Sequence, residues 1–159
     1  MSKVYWITGI SGVGKTTFSN ILKKELDRRN INSIIIDGDQ IRKILKKQNE
    51  FSKESRFEIA MIYSRLAELF SKQNITVIVS TISLIKEIHS WNRKNLNNYV
   101  EILIKRDMNK ILESDSRDIY NKNNVVGKSI DAEYPKQPDF TIENISIDKI
   151  ESYIKNNIL

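Results

Sequence analysis

Residues 9–17 read GISGVGKTT, between the apolar run VYWIT and the amphipathic run FSNILKKELDRR. Three glycines in six residues would weaken either a helix or a strand, so this stretch has to be a loop. Gly9, Gly14, Lys15 and Thr16 satisfy the spacing G-x-x-x-x-G-K-[ST], with an apolar strand pattern before it and a helical pattern after it. Glycine permits positive φ and close backbone approach, so successive N–H groups can face a phosphate while the helix N-terminus adds partial positive charge. The residues expected against a nucleoside triphosphate are Gly9, Ser11, Gly12, Val13, Gly14, Lys15, Thr16 and Thr17. Lys15 is expected to reach the β and γ phosphates, and the Thr16 hydroxyl to reach magnesium.

The loop also constrains the rest of the chain. Four further apolar runs of strand length occur: residues 32–37 (NSIIID), 75–81 (ITVIVST), 99–105 (YVEILIK) and the shorter 139–144 (DFTIEN). Helical patterns over 15–29, 40–47, 52–72 and 84–96 alternate with them, and a closing helix is predicted from Ile147, Ile150, Tyr153 and Ile154 on one face. Nearly continuous apolar strands separated by helices predict an α/β three-layer sandwich on a mostly parallel central sheet, one domain over residues 1–159. Such sheets bind ligands beyond the carboxyl ends of their strands. The polar groups following the strands, at 9–17, 37–42 and 80–83, therefore converge on one edge.

A phosphate loop alone leaves kinases, GTPase switches and motor ATPases open. ITVIVSTIS ends in hydroxyls, with no carboxylate at the strand end where many P-loop ATPases carry an aspartate for magnesium. The acids come instead in IIIDGDQIR, where Asp37 and Asp39 flank Gly38, expected to form a tight turn. One of them can accept a hydroxyl proton and one can assist magnesium, with Thr16 and Asp37 as the expected metal ligands. NKNN at 121–124 lacks the acid of a guanine-reading N-K-x-D motif. With no cysteine, disulfides and thiolate metal sites are excluded, and a single histidine, His89, excludes an imidazole cluster. The net charge of +6 is interleaved with acids along most helices, which favours a solvated face over a nucleic-acid polymer or membrane partner. No export signal precedes the first strand and no apolar run has membrane-spanning length, so the cytoplasm is expected.

Taken together, GISGVGKTT, DGDQIR, the SR before the third main helix, TIS after the third strand, VEILIKRD, DSRDIY and VVGKSIDAEYPKQPDFTIEN resemble the adenylyl-sulfate kinase family over nearly the whole chain. These are small P-loop kinases that phosphorylate the ribose 3'-hydroxyl of adenylyl sulfate. The resemblance implies ATP as donor, Mg2+ as cofactor and a nucleotide-linked small molecule as acceptor, with homodimerisation common in the family. It makes Asp37 the leading candidate proton acceptor with Asp39 in support, although their roles are not separable from sequence. It assigns Arg42 and Arg56 to the acceptor's anionic groups, a task suited to the guanidinium fork, and Ile82 and Ser83 to its pocket. It further implies a lid over residues 114–137, with Arg117 standing where a lysine is usual and Lys122 nearby, closing over the γ-phosphate.

Departures from the family pattern gather on the acceptor side. FEIAMI puts Ile59, Met61 and Ile62 where polar or cationic groups are expected, Ser55 replaces an acid, and Thr81 stands in place of an aromatic. Loss of donors and a stacking ring would cost about 1–3 kcal/mol per group for an unchanged substrate. MIYSRLAELF and TISLIKEIHSWNRKNLNNY resemble a capsule-associated branch whose acceptor is cytidine diphosphoramidate, so this acceptor is favoured over adenylyl sulfate, with a rebuilt base pocket. His89 is expected to be positional or superficial. Trp91, Asn92 and Arg93 are weighed as base contacts against core packing and solvation. An ATP-binding regulatory module and a small-metabolite kinase of gluconate or shikimate type are the remaining alternatives.

Overall fold

The computed structural model describes residues 1–115, 118–122 and 125–159. Its centre is one five-stranded sheet of β1 (Val4–Thr8), β2 (Ser33–Asp37), β3 (Thr76–Ser80), β4 (Tyr99–Lys105) and β5 (Phe140–Glu143). The spatial order is β2-β3-β1-β4-β5, and every pairing is parallel. All five β1 residues are buried, because strands lie on both sides of β1 and helices cover both faces. Alternation along β1 sorts its side chains into two cores. Tyr5 and Ile7 meet Phe18, Leu22 and Leu26 of α1 (Lys15–Arg28), together with Ile150 of α6 (Ile147–Tyr153). Val4 and Trp6 meet Ile59, Ala60, Tyr63 and Ala67 of α3 (Lys53–Ser71), and Ile88 of α4 (Lys86–Asn95). Phe18, Leu22 and Leu26 recur every fourth residue and are at most 1% exposed, so each contributes about 1.5–3 kcal/mol of burial.

Short elements shape the ligand edge. α2 (Gly38–Ile44) begins two residues earlier than the pattern predicts, because the Asp37 side chain caps it. α5 (Met108–Glu113), absent from the sequence reading, follows β4, and a single 3-10 turn occupies Ile119–Asn121. The closing helix corrects the predicted face. Ile147 is 70% exposed, whereas Ile150, Ile154 and Ile158 form the buried face as α6 widens into a looser turn over Ile154–Ile158. A second correction concerns the rewritten acceptor stretch. Ile59 is fully buried under the sheet and Met61 packs beside it, so these residues are core and not a rebuilt base pocket. No helix among the described residues is long and apolar enough to cross a membrane.

Candidate active site

The phosphate loop is shaped where it meets its neighbours. Gly9 takes φ +151°, and a Cβ there would lie 2.3 Å from the Ile104 carbonyl oxygen, so the chain leaves β1 pressed against the β4 backbone. Gly14 caps α1 at φ +99°, in the left-handed region, with no atom within 4 Å of where a Cβ would be. No side chain caps this helix and its first turn holds no acid, so the positive end of the α1 dipole faces the loop without a neutralising carboxylate in that turn. The Lys15 ammonium donates to the Ile10 carbonyl at 2.8 Å, and Thr16 is exposed in the first turn of α1. At the end of β1, Thr8 Oγ1 donates to the Ile82 carbonyl, which ties the phosphate loop to the loop after β3.

The two aspartates are differently employed. Asp37 Oδ1 accepts the amides of Asp39 and Gln40, both at 3.1 Å, so half of its carboxylate serves the α2 N-terminus. Asp39 is exposed in the first turn. Between them Gly38 does not take a left-handed turn. Its value is spatial, since a Cβ would sit 3.3 Å from Thr81 Oγ1 and 3.5 Å from the Tyr63 hydroxyl. Tyr63 donates to the Gly38 carbonyl at 3.0 Å, and burial pushes its hydroxyl up to about 12.

Opposite lies a cationic shelf. Arg42 and Arg56 each hold their guanidinium carbon 5.4 Å from the centre of the Phe51 ring. Backbone carbonyls fix both forks: Arg42 donates to Glu50 at 2.8 Å and to Lys47 at 3.3 Å, and Arg56 to Phe51 at 3.0 Å. Burial, helped by the charge of Arg42, lowers the Arg56 pKa from its ordinary value. Thr81 and Ser83 share a hydroxyl–hydroxyl bond of 2.8 Å, with Ser83 at φ +26°. Residues 11–17 of the phosphate loop, both aspartates, both arginines, Ile82, Ser83 and Lys122 all line one cleft of about 1230 Å3, while Gly9 sits at the base of the loop outside its lining. That is more than one drug-sized ligand needs. Arg117 lies outside the described residues.

The structure also redistributes several sequence-predicted residues. Trp91 carries Arg65 at 4.5 Å from its ring centre, and Arg93 bonds Glu101 at 2.9 Å and Asp139 at 3.0 Å, so neither reaches the cleft. His89 is positional: it is buried, with Nδ1 2.8 Å from Glu101 Oε1. Burial tends to raise the Glu101 carboxyl, but bonds from His89, Tyr99 and Arg93 together hold it below its ordinary value. Sequence reasoning missed Phe51, Tyr63 and Arg106, all of which line the cleft. Phe51 was detectable as a lone aromatic in a polar stretch between two predicted helices. Tyr63 reads as an ordinary core position of its helix.

The family model described as adenylylsulphate kinase matches residues 1–143. A cytidine diphosphoramidate kinase of Campylobacter jejuni subsp. jejuni serotype O:2 is 34% identical over 158 residues, covering 96% of this chain and 92% of that protein. A probable adenylyl-sulfate kinase of Archaeoglobus fulgidus is 30% identical over 155 residues, covering 94% and 100% respectively. The structure of Mycobacterium tuberculosis APS kinase in complex with AMPPNP and APS superposes with a TM-score of 0.88 at 24% identity, covering 98% and 96% of the two chains, a likeness of fold. With its parallel sheet, glycine-shaped phosphate loop and double-arginine shelf, and with a family match reaching from its first residue into β5, the chain belongs to the adenylylsulphate kinase family of phosphotransferases.

Proposed function

We propose that the protein transfers the γ-phosphoryl group of ATP to the ribose 3'-hydroxyl of an activated nucleotide, and that this acceptor is cytidine diphosphoramidate. The observation that carries the choice of acceptor is the 34% identity to the Campylobacter cytidine diphosphoramidate kinase, sustained over 158 residues. Thr81 is consistent with it: a small hydroxyl paired with Ser83 stands in the cleft where the resembled family's aromatic is expected.

In this reading the loop amides and Lys15 hold the donor phosphates, and Lys15 exchanges its bond to the Ile10 carbonyl for one to phosphate. The Arg42–Phe51–Arg56 shelf receives the acceptor, its ring offering a stacking face and its forks anion contacts. Asp37 or Asp39 accepts the proton of the attacking hydroxyl. The Asp37 side chain keeps its aim because two backbone amides fix it. Magnesium fits the donor set, since the Thr16 hydroxyl and the Asp37 carboxylate are hard oxygen ligands. Among the described residues no group of three acidic, histidine or cysteine side chains could hold a metal, which suits an ion that takes most of its ligands from phosphate and water. Bound there, it would neutralise phosphate charge. Lys122, from the edge of the cleft, adds positive charge near the transferred group.

Adenylyl sulfate is the second reading, favoured by the likeness to the probable adenylyl-sulfate kinase of Archaeoglobus fulgidus and by the family model. ADP release from Mg-ATP, measured with cytidine diphosphoramidate, adenylyl sulfate or no acceptor, separates the two, with the product's phosphorus position read by NMR. Turnover with the cytidine compound alone is the expected result. Turnover with adenylyl sulfate alone overturns the acceptor assignment, and tight ATP binding with no acceptor-dependent ADP would point to a regulatory module instead.

A further inference from the structure

Behind the phosphate loop, away from the cleft, stands a tyrosine to which the mechanism above gives no task. Tyr120 is 4% exposed, and its hydroxyl donates to the Ser11 carbonyl at 2.6 Å, across 109 residues of chain. It does not line the cleft, whereas Ser11 and Gly12 do. Its own backbone is held on both sides. The Tyr120 amide donates to Asp115 Oδ2 at 3.1 Å, and the Lys128 ammonium donates to the Tyr120 carbonyl. The ring is therefore fixed before it touches the loop. Two apolar contacts reach the loop as well: a Cβ on Gly12 would meet Ile111 of α5 at 2.9 Å, and one on Gly127 would meet Ile10 at 3.0 Å.

A trans peptide points its C=O and its N–H in opposite directions, and no cis peptide occurs among the described residues. When Ser11 C=O is drawn back toward Tyr120, the Gly12 N–H of the same peptide plane is turned the other way. Gly12, at φ +84°, has a backbone free to rotate that plane, since no side chain resists it. A loop whose function is to present amides to phosphate needs that rotation stopped.

We infer that Tyr120 is a positioning residue for the donor site, setting the Ser11–Gly12 peptide from behind so that its amide is aimed at the nucleotide's phosphates before the nucleotide arrives. The inference rests on the reading of the loop as an ATP site. It assigns to the segment carrying Tyr120 a part in donor affinity, distinct from any part in covering the reaction. Burial pushes the hydroxyl up to about 12, so it remains a donor throughout the neutral range.

The test is calorimetric titration of the full chain with AMP-PNP and magnesium, for wild type, Tyr120→Phe and Lys128→Ala, alongside titration with cytidine diphosphate as an acceptor-side probe. Tyr120→Phe keeps the ring and removes one neutral hydrogen bond, so its Kd for AMP-PNP is expected to rise about three- to tenfold. Cytidine diphosphate affinity should be unchanged. Lys128→Ala, which only loosens the tyrosine's backbone, should raise the AMP-PNP Kd about twofold. A merely structural tyrosine would lower the melting midpoint of the free protein and leave the nucleotide Kd of the folded protein unchanged, and that result overturns the inference. Should Tyr120→Phe fail to fold, an unchanged Kd in Lys128→Ala overturns it equally. If wild type binds no AMP-PNP, the donor-site reading falls first, an outcome distinct from equal binding by wild type and variant.

Discussion

Gly9→Ala and Gly14→Ala change the same residue type in the same loop, and the structure separates their consequences. At Gly9 the new methyl would lie 2.3 Å from the Ile104 carbonyl oxygen and 3.0 Å from Val13 Cγ2. The first neighbour is strand backbone paired on both sides, which cannot turn away as a side chain could. Backbone strain of about 1–3 kcal/mol for a non-glycine residue there, added to about 1–3 kcal/mol for forcing β1 and β4 apart, gives about 2–6 kcal/mol. Against a total stability of about 5–15 kcal/mol, that is a large fraction. In a chain of this size it should lower the melting midpoint by about 4–24 °C. At Gly14 nothing lies within 4 Å, so only strain at φ +99° remains. Reduced freedom of the unfolded chain offsets part of it, leaving about 1 kcal/mol and a fall of about 2–4 °C. Thermal unfolding followed by far-ultraviolet circular dichroism, without nucleotide, measures both. A Gly9→Ala midpoint within 2–4 °C of wild type, or the reverse ranking of the two variants, would refute the reasoning.

Three further outcomes are expected. Asp37→Asn preserves an N-cap acceptor and should melt close to wild type while losing phosphoryl transfer, whereas Asp37→Ala should also lose about 1 kcal/mol of stability; ADP-release kinetics beside melting curves check both. Phe51→Ala removes the face over which two guanidinium groups are held, so the acceptor KM should rise about tenfold with the ATP KM changed less than about twofold, in steady-state kinetics with each substrate varied. Glu101 has a folded pKa below its unfolded value of about 4.3, so its contribution to stability is complete above that pH and disappears as pH falls through the folded value. The gap in melting midpoint between wild type and Glu101→Gln should therefore be widest near neutrality and narrow below about pH 4; a constant gap from pH 7 to pH 3 would show that the charge is irrelevant.

The sheet was legible because a parallel strand buried on both faces writes itself as an unbroken Ile and Val run, as in TVIVS, and the half-buried edge strand SIIID keeps the same pattern. The phosphate loop was legible because few backbone paths wrap an anion and glycine marks them. Ile59 was misplaced for a physical reason: position within a family motif said nothing about which side of α3 faces the sheet, and the helix turned that residue inward. Ile147 failed in the opposite way, since the spacing that groups it with Ile150 and Ile154 leaves it one turn beyond the sheet's cover. Phe51 and Tyr120 share no periodicity with their neighbours. Phe51 acts between two nearby arginines and stood out only as a lone aromatic, whereas Tyr120 acts through a contact with chain 109 residues away, which no local pattern records.

The shelf of Arg42 and Arg56 about one ring has a bearing on how the empty protein differs from the occupied one. Two fixed cations so placed repel, and the Arg56 guanidinium holds its proton less firmly for being buried and for having Arg42 near. A dianionic guest converts that repulsion into two attractions, so the site is least stable when vacant and gains cohesion from the molecule it is shaped to receive. The protein's heat resistance and its hold on the acceptor should thus respond to added salt in opposite directions: screening eases the vacant shelf and weakens its grip on an anion.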